Sequence, residues 1–151
     1  MTLETILLAV GPGDAERTDE LAEAVIEVGQ PADSTVVLGH VFTQDEFEDV
    51  LDRLAFDPDA EAADPDDVAG RHATIRDLRR PLEDAGVEYV IRGAVGDHGK
   101  TIVDLAEEVD ADRVIVGGRK RSPTGKAVFG STAQEVLLSA PCPVTFVRGG
   151  E

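Results

Sequence analysis

The sequence predicts an α/β domain, a five-stranded parallel sheet covered by helices on both faces in a three-layer α/β/α arrangement. Three observations predict it. Short apolar runs recur from end to end, bounded by Gly, Pro or Asp. The stretches between them carry apolar residues at spacings of three and four. The two patterns alternate as β-α-β-α-β-α-β-α-β, an order that needs a crossover laying a helix on the sheet each time. At 151 residues the chain makes one domain, residues 1–151, long enough to bury a core and too short for two.

TILLAV, Thr5 to Val10, is an apolar run ending in GPG and reads as a buried first strand. From Asp14 to Val28 the residues Leu21, Ala24, Val25 and Val28 share a helix face, and Gly29 is placed to end that helix. STVVLGHVF, Ser34 to Phe42, is β-branched and apolar and makes the second strand. Thr43 to Ala69 is the most acidic part, interrupted by Pro58 and Pro65, and reads as a mobile loop with one broken helix. A helix is predicted from Asp66 to Ala85, closed by Gly86, with Pro81 placed to kink or shorten it. VEYVIR, Val87 to Arg92, is the third strand, GAVGDHG a loop, and Lys100 to Val109 a helix with Ile102, Val103, Leu105 and Ala106 inward. DRVIVGG, Asp112 to Gly118, is the fourth strand. After a long loop come a helix from Ser131 to Ser139 and the fifth strand PVTFV, Pro143 to Val147.

The balance of 14 Lys plus Arg against 31 Asp plus Glu gives a net charge of −17. With 42% hydrophobic residues in compact blocks, this is a charged surface rather than disorder. Such a surface suits concentrated salt, where the Debye length falls to about 3 Å at 1 M and repulsion between carboxylates is screened. Only three of the basic residues are Lys, which fits a halophile's cytoplasmic protein. The acidic surface argues against nucleic acid as a partner, since that attraction comes from counterions released by cationic groups. There is no apolar run of membrane-spanning length and no signal-peptide pattern at the start, so no membrane partner is expected. The lone Cys142, between Pro141 and Pro143, reads as a packing residue, and no Cys and His grouping resembles a zinc site.

Against that acidic background, GGRKRSPTGKAVFGST, Gly117 to Thr132, carries Arg119, Lys120, Arg121 and Lys126. In open parallel sheets ligands sit outside the carboxyl ends of the strands where the winding reverses, and this loop and GPGD, Gly11 to Asp14, flank that crevice. Gly117, Gly118, Gly125 and Gly130 let backbone amides approach a ligand, and Ser131 and Thr132 open a helix whose free amides and dipole favour an anion. In molar salt distant carboxylates are screened while contact charges persist, so Lys120, Arg121 and Lys126 suit a phosphate. A structural reading stands beside this one: Thr132 and Glu135 have capping-box spacing, and the basic residues neutralise nearby acids or dock a second subunit. Neither a phosphate-loop motif nor a complete dinucleotide fingerprint is present. His40, within the second strand, reads as a packed or hydrogen-bonded histidine, His72 as helix surface and His98 as a candidate ligand contact beside the crevice. No nucleophile with an adjacent base is legible.

This loop resembles the signature of the universal stress protein family: Gly, two residues, a second Gly, nine residues, then Gly with Ser or Thr, between the fourth strand and the last helix. Gly117 and the pair Gly130 and Ser131 fall on that spacing. VEYVIRGAVGDHGKTIVDLAEEVDADRVIVGG and SAPCPVTFVR are also similar to the family's corresponding stretches. The resemblance implies a Rossmann-like sheet of order 3-2-1-4-5 and a homodimer joined at the fifth strands. It also implies ATP binding in one branch and none in another. In the binding branch it places adenine near Val41 and Val116 and phosphates against Gly117, Gly130, Ser131 and Thr132. Two positions depart from the pattern. Lys120 replaces the second signature Gly, and Gly11 replaces an Asp that nucleotide-binding members carry after the first strand, with Asp14 standing three positions later. The function expected is binding of an adenine nucleotide or other phosphate-bearing anion. The alternatives are a dimeric interaction module without a small ligand and a slow nucleotide hydrolase, which needs a metal-binding carboxylate such as Asp14 or Asp97.

Overall fold

A computed structural model of the chain describes residues 3–53, 64–118 and 131–148. Five strands, β1 (Thr5–Val10), β2 (Thr35–Phe42), β3 (Tyr89–Val95), β4 (Arg113–Gly118) and β5 (Val144–Arg148), form one sheet of order β3-β2-β1-β4-β5. All neighbouring strands are parallel. The helices are α1 (Thr18–Ala32), α2 (Gln44–Arg53), α3 (Pro65–Gly70), α4 (Ala73–Asp84), α5 (His98–Glu108) and α6 (Ser131–Ser139), and a 3-10 turn over Pro12–Arg17 links β1 to α1.

Side chains alternate across a strand with a period of two, and the core divides accordingly. Ile6, Leu8 and Val10 of β1 join Val36, Leu38 and Ile115 on one face, packed by Leu21 and Val25 of α1 and Ile75, Leu78 and Leu82 of α4. Leu7 and Ala9 join Val37, Val41, Val114 and Val116 on the other, packed by Ile102, Leu105 and Ala106 of α5 and Ala133 and Val136 of α6. Each fully buried Leu, Ile or Val contributes roughly 1.5–3 kcal/mol, so the two layers together hold the sheet. A third, smaller cluster centres on Phe42, Val68 and Ala69, with Phe47, Val50 and Leu51 against it.

Several elements differ from the sequence reading. The first helix begins later and runs through Gly29 and Pro31 to Ala32, and Asp33 makes the left-handed turn at φ 56°. Gly29 is buried within the helix, where a Cβ would stand at ordinary contact distance, 3.4 Å, from Ile6 Cδ1. The single helix expected over Asp66 to Ala85 is two, α3 and α4, and Pro81 lies within α4 without ending it. His72, extended at ψ 133°, is the N-cap of α4, its Nδ1 accepting from the Thr74 N–H at 3.3 Å. It is not the helix-surface residue the sequence suggests. The acidic stretch expected to be a loop with one broken helix contains α2 and the start of α3; residues 54–63 of it lie outside the described residues.

The third strand also extends beyond Arg92 to Val95, because α3 covers its outer edge. Asp66 Oδ1 accepts the Gly93 N–H at 2.6 Å. Satisfying a strand-edge donor in this way blunts the edge against foreign strands. The approach is so close that a Cβ on Gly93 would run into the Pro65 carbonyl, with Asp66 N only 3.1 Å away. Gly93→Ala should therefore cost about 1–3 kcal/mol through overpacking against backbone that has no rotamer to yield. Gly86→Ala is a useful contrast, because Gly86 has φ +70° and nothing within 4 Å of a Cβ, so its cost is conformational alone, about 1–2 kcal/mol. Denaturant unfolding in molar salt measures both, and restoration of stability in Gly93→Ala by truncating α3 contacts would identify the collision as the cause.

Candidate functional site

The crossover from β1 to β2 lays α1 on one face of the sheet, and the crossover from β3 to β4 lays α5 on the other. The winding therefore reverses between β1 and β4, and it is beyond the carboxyl ends of strands at such a reversal that open parallel sheets form a ligand crevice. β4 ends at this crevice in Gly117 and Gly118, paired with Val147 and Arg148 of β5. A Cβ on Gly118 would stand 2.6 Å from Phe146 Cζ, so the missing side chain seats the Phe146 ring.

Of the residues singled out from the sequence, Val41 and Val116 are both buried and share the apolar cluster beneath α5 and α6. Ser131 and Thr132 open α6, and Thr132 is half-buried. Arg119, Lys120, Arg121, Lys126 and Gly130 lie outside the described residues. Gly117 faces neighbours that sequence reasoning did not bring to it. A Cβ there would meet Arg17 Cδ and Asp14 Oδ1, each at 2.9 Å, and Leu21 Cδ2 at 3.2 Å.

Asp14 and Arg17 come together because residues three apart eclipse on a 3-10 turn. Arg17 Nη1 donates to Asp14 Oδ1 in a buried ion pair. Asp14 Oδ2 accepts the Gly11 N–H at 2.7 Å. Although Asp14 is three positions late, its carboxylate thus folds back beside Gly11, 3.7 Å from where a Cβ of that residue would be. The signal for this pair was the spacing Asp, two residues, Arg directly after the first strand.

The sequence profile described as the universal stress protein family matches residues 2–148. The chain belongs to that family. A universal stress protein from Mycolicibacterium smegmatis is 37% identical over 79 residues, 52% of this chain and 61% of the relative. The matched part thus spans less than two thirds of that relative's length. Among solved structures, a universal stress protein from Archaeoglobus fulgidus superposes with a TM-score of 0.69 at 25% identity, covering 98% of this chain and 100% of that one. The structure of the universal stress protein from Archaeoglobus fulgidus in complex with dAMP gives 0.65 at 22%, covering 98% and 100%. The order β3-β2-β1-β4-β5 expected from the resemblance is the order found.

In this family member all three histidines of the chain gather at the carboxyl end of β2. The rings of His40 and His72 lie 4.2 Å apart, and His40 meets Phe42 edge-on at 4.4 Å. His40 Nδ1 donates to the Val10 carbonyl at 2.7 Å, tying the end of β2 to that of β1. His98 pairs with Glu46 at 2.7 Å, joining α5 to α2. Their separation in sequence hid this grouping. Burial pushes the Glu46 carboxyl up, but the Thr43 N–H and His98 outweigh it and hold Glu46 below its ordinary range. Burial pushes the Cys142 thiol up, with Asp112 adding to the effect, so it is held as a thiol rather than activated as a nucleophile. Among the described residues, no group of three or more His, Cys, Asp or Glu side chains is set to hold a metal ion, and no helix is long and apolar enough to cross a membrane.

Burial, reinforced by His72, lowers the His40 pKa from 6.5 to about 4. Burial lowers that of His72 too. Between pH 6.5 and 4 the unfolded chain binds a proton at residue 40 and the native chain does not. Stability is therefore lost as pH falls through this window, by about 3 kcal/mol from His40 alone, and the loss saturates below the native value. In His40→Asn, whose amide can still donate to Val10, the pH dependence of unfolding free energy at constant salt should be flatter over this window. Identical slopes for the two proteins would remove His40 as its source.

Proposed function

We propose that this chain is a cytoplasmic stress-response protein that binds an adenine nucleotide, ATP or a related one, or another phosphate-bearing anion at the crevice between β1 and β4. The observation that carries this reading is the reversal of winding between β1 and β4, with β4 ending in two glycines at the mouth. The dAMP complex of the structurally similar Archaeoglobus fulgidus protein supports it. Adenine would lie toward the ends of the strands bearing Val41 and Val116. Gly117 and Gly130 would admit backbone to the phosphates, Ser131 and Thr132 would donate hydrogen bonds, and Lys120, Arg121 and Lys126 would supply charge. The reading is of binding, not turnover. The net charge of −17 supports a high-salt cytoplasm as the setting.

Calorimetric titration of ATP, ADP and AMP in molar salt should give saturable binding. Lys120→Glu should weaken it about tenfold or more with folding intact, the loss expected for a charge-assisted hydrogen bond. No heat and no thermal shift with any nucleotide would instead favour the interaction module. The tie of Asp14 to Gly11 and Arg17 supports that rival, because it occupies the carboxylate nearest residue 11.

A homodimer through β5 is part of the proposal. β5 is an edge strand pairing only with β4 among the described residues, and its residues Val144 to Val147 are only partly covered. On the adjacent helix α6, Leu137 is 38% and Leu138 78% exposed. Burying such a side chain is worth roughly 1.5–3 kcal/mol, so Leu138→Asp should raise the dimer dissociation constant at least tenfold in light scattering at native-like salt. A monomeric mass for the unaltered protein would rule the dimer out.

A further inference from the structure

The turn between α3 and α4 is held by one neutral imidazole. His72 Nδ1 accepts the Thr74 N–H at 3.3 Å and so caps α4. Thr74 is buried, and a buried amide is costly to leave unmatched. Asn, Ser and Thr caps do not titrate near neutrality, whereas an imidazole does. A proton on Nδ1 would turn the acceptor into a donor and set a cation at the positive end of the helix dipole. It would also set that cation against His40, whose ring lies 4.2 Å away, is buried, and gives its Nδ1 to the Val10 carbonyl. Arg71 precedes His72 and adds positive charge to the same turn. The other charged groups facing His40 are Glu46 of α2 and His98 of α5. They are paired with each other at 2.7 Å, and the Thr43 N–H donates to the same carboxylate oxygen, so the facing carboxylate is already engaged. Burial lowers the proton affinity of both imidazoles of the pair.

We propose that His72 and His40 form an acid-sensitive latch on α3: neutral His72 keeps the turn into α4 closed, and protonation of its Nδ1 releases α3 from the margin of β3. What the latch holds is small. The turn is closed by the Arg71 N–H to the Val68 carbonyl and the His72 N–H to the Ala69 carbonyl. Val68 and Ala69 pack with Phe42, whose ring meets His40 edge-on at 4.4 Å. Asp66 Oδ1 then ties α3 to β3, accepting the Gly93 N–H and standing 3.6 Å from Arg92 Nε. A six-residue helix burying so few apolar side chains opens at a fraction of the global unfolding free energy. In the open state His72 titrates at the ordinary imidazole value of about 6.5, whereas in the closed state burial holds it lower. Closure is therefore favoured in full above about pH 6.5 and weakens as pH falls below it, until closed His72 itself takes up a proton. Acid thereby uncovers a strand margin that is covered at neutral pH.

The test is native-state amide hydrogen exchange on the full chain in molar salt, from about pH 7.5 to about pH 5, corrected for the intrinsic pH dependence of exchange. Protection of the Thr74 and Gly93 amides should fall together below about pH 6.5, by up to about tenfold per unit. Low urea should leave both rates nearly unchanged, because a local opening exposes little surface. The Leu8 amide of β1, which exchanges through global unfolding, should be better protected and should speed up with urea. In His72→Asn, whose amide oxygen caps without titrating, the fall at Thr74 and Gly93 should be shallower by that same factor. An unchanged slope in the variant, or protection independent of pH in the unaltered protein, overturns the latch. So does a fall at Thr74 and Gly93 that is as urea-dependent as that at Leu8, since the two amides would then report global unfolding. If the variant fails to fold, the ring nitrogen resonances of His72 in the unaltered protein decide the matter. Nδ1 should be unprotonated at the upper pH, and its protonation should coincide with loss of protection at Thr74 and Gly93. A protonated His72 with both amides still protected overturns the latch.

Discussion

The structure depends on the position of β1. Its main chain is hydrogen-bonded to parallel neighbours on both sides, and its side chains from Ile6 to Val10 are buried on both faces. A strand so enclosed has no solvent-facing side, so the chain must supply a helix layer on each face. It does so by winding one way from β1 to β2 and β3 and then returning across β1 to β4 and β5. The crevice follows from that return. It is a consequence of covering one apolar strand twice.

What surrounds the crevice is set by small residues as much as by charged ones. Gly117 gives space to the Asp14 and Arg17 pair, Gly118 to Phe146, and Gly39 to Leu7 and Leu105, whose terminal carbons stand 2.9 and 3.0 Å from a Cβ position there. The polar groups are then tied inward. His40 reaches Val10, Asp14 reaches Gly11, and Asp112 Oδ2 accepts the Glu4 and Thr5 N–H groups at the opposite end of β1. Both ends of the central strand are thus anchored by side chains.

The strands were legible because a parallel strand buried on both faces must be continuously apolar, as TILLAV and VVLGHVF are. Helix α5 was legible because Ile102, Val103, Leu105 and Ala106 all face inward as their spacing requires. The less legible parts turn on tertiary contact. Gly29 reads locally as a stop, yet its neighbour across the core is Ile6; Gly93 reads as loop, yet it is where α3 presses on β3. His40, His72 and His98 stand on separate elements, and nothing local announces that they meet. The loop after β4 was conspicuous in sequence by its charge, whereas Arg17 was hidden among the acidic residues that follow the first strand. Its meaning lies in the Gly117 contact, which only the paired strands create.

The two outer strands of the sheet are treated differently, and this has a consequence for assembly. At β3 the Gly93 amide is already taken by Asp66 and α3 lies across the margin, whereas β5 ends the sheet on the other side with β4 as its one partner among the described residues. A strand-to-strand union can therefore use β5 alone, and a patch that joins only to its own copy generates a twofold axis and then stops. By covering part of one margin, a six-residue helix leaves the sheet with one open side for such a union rather than two.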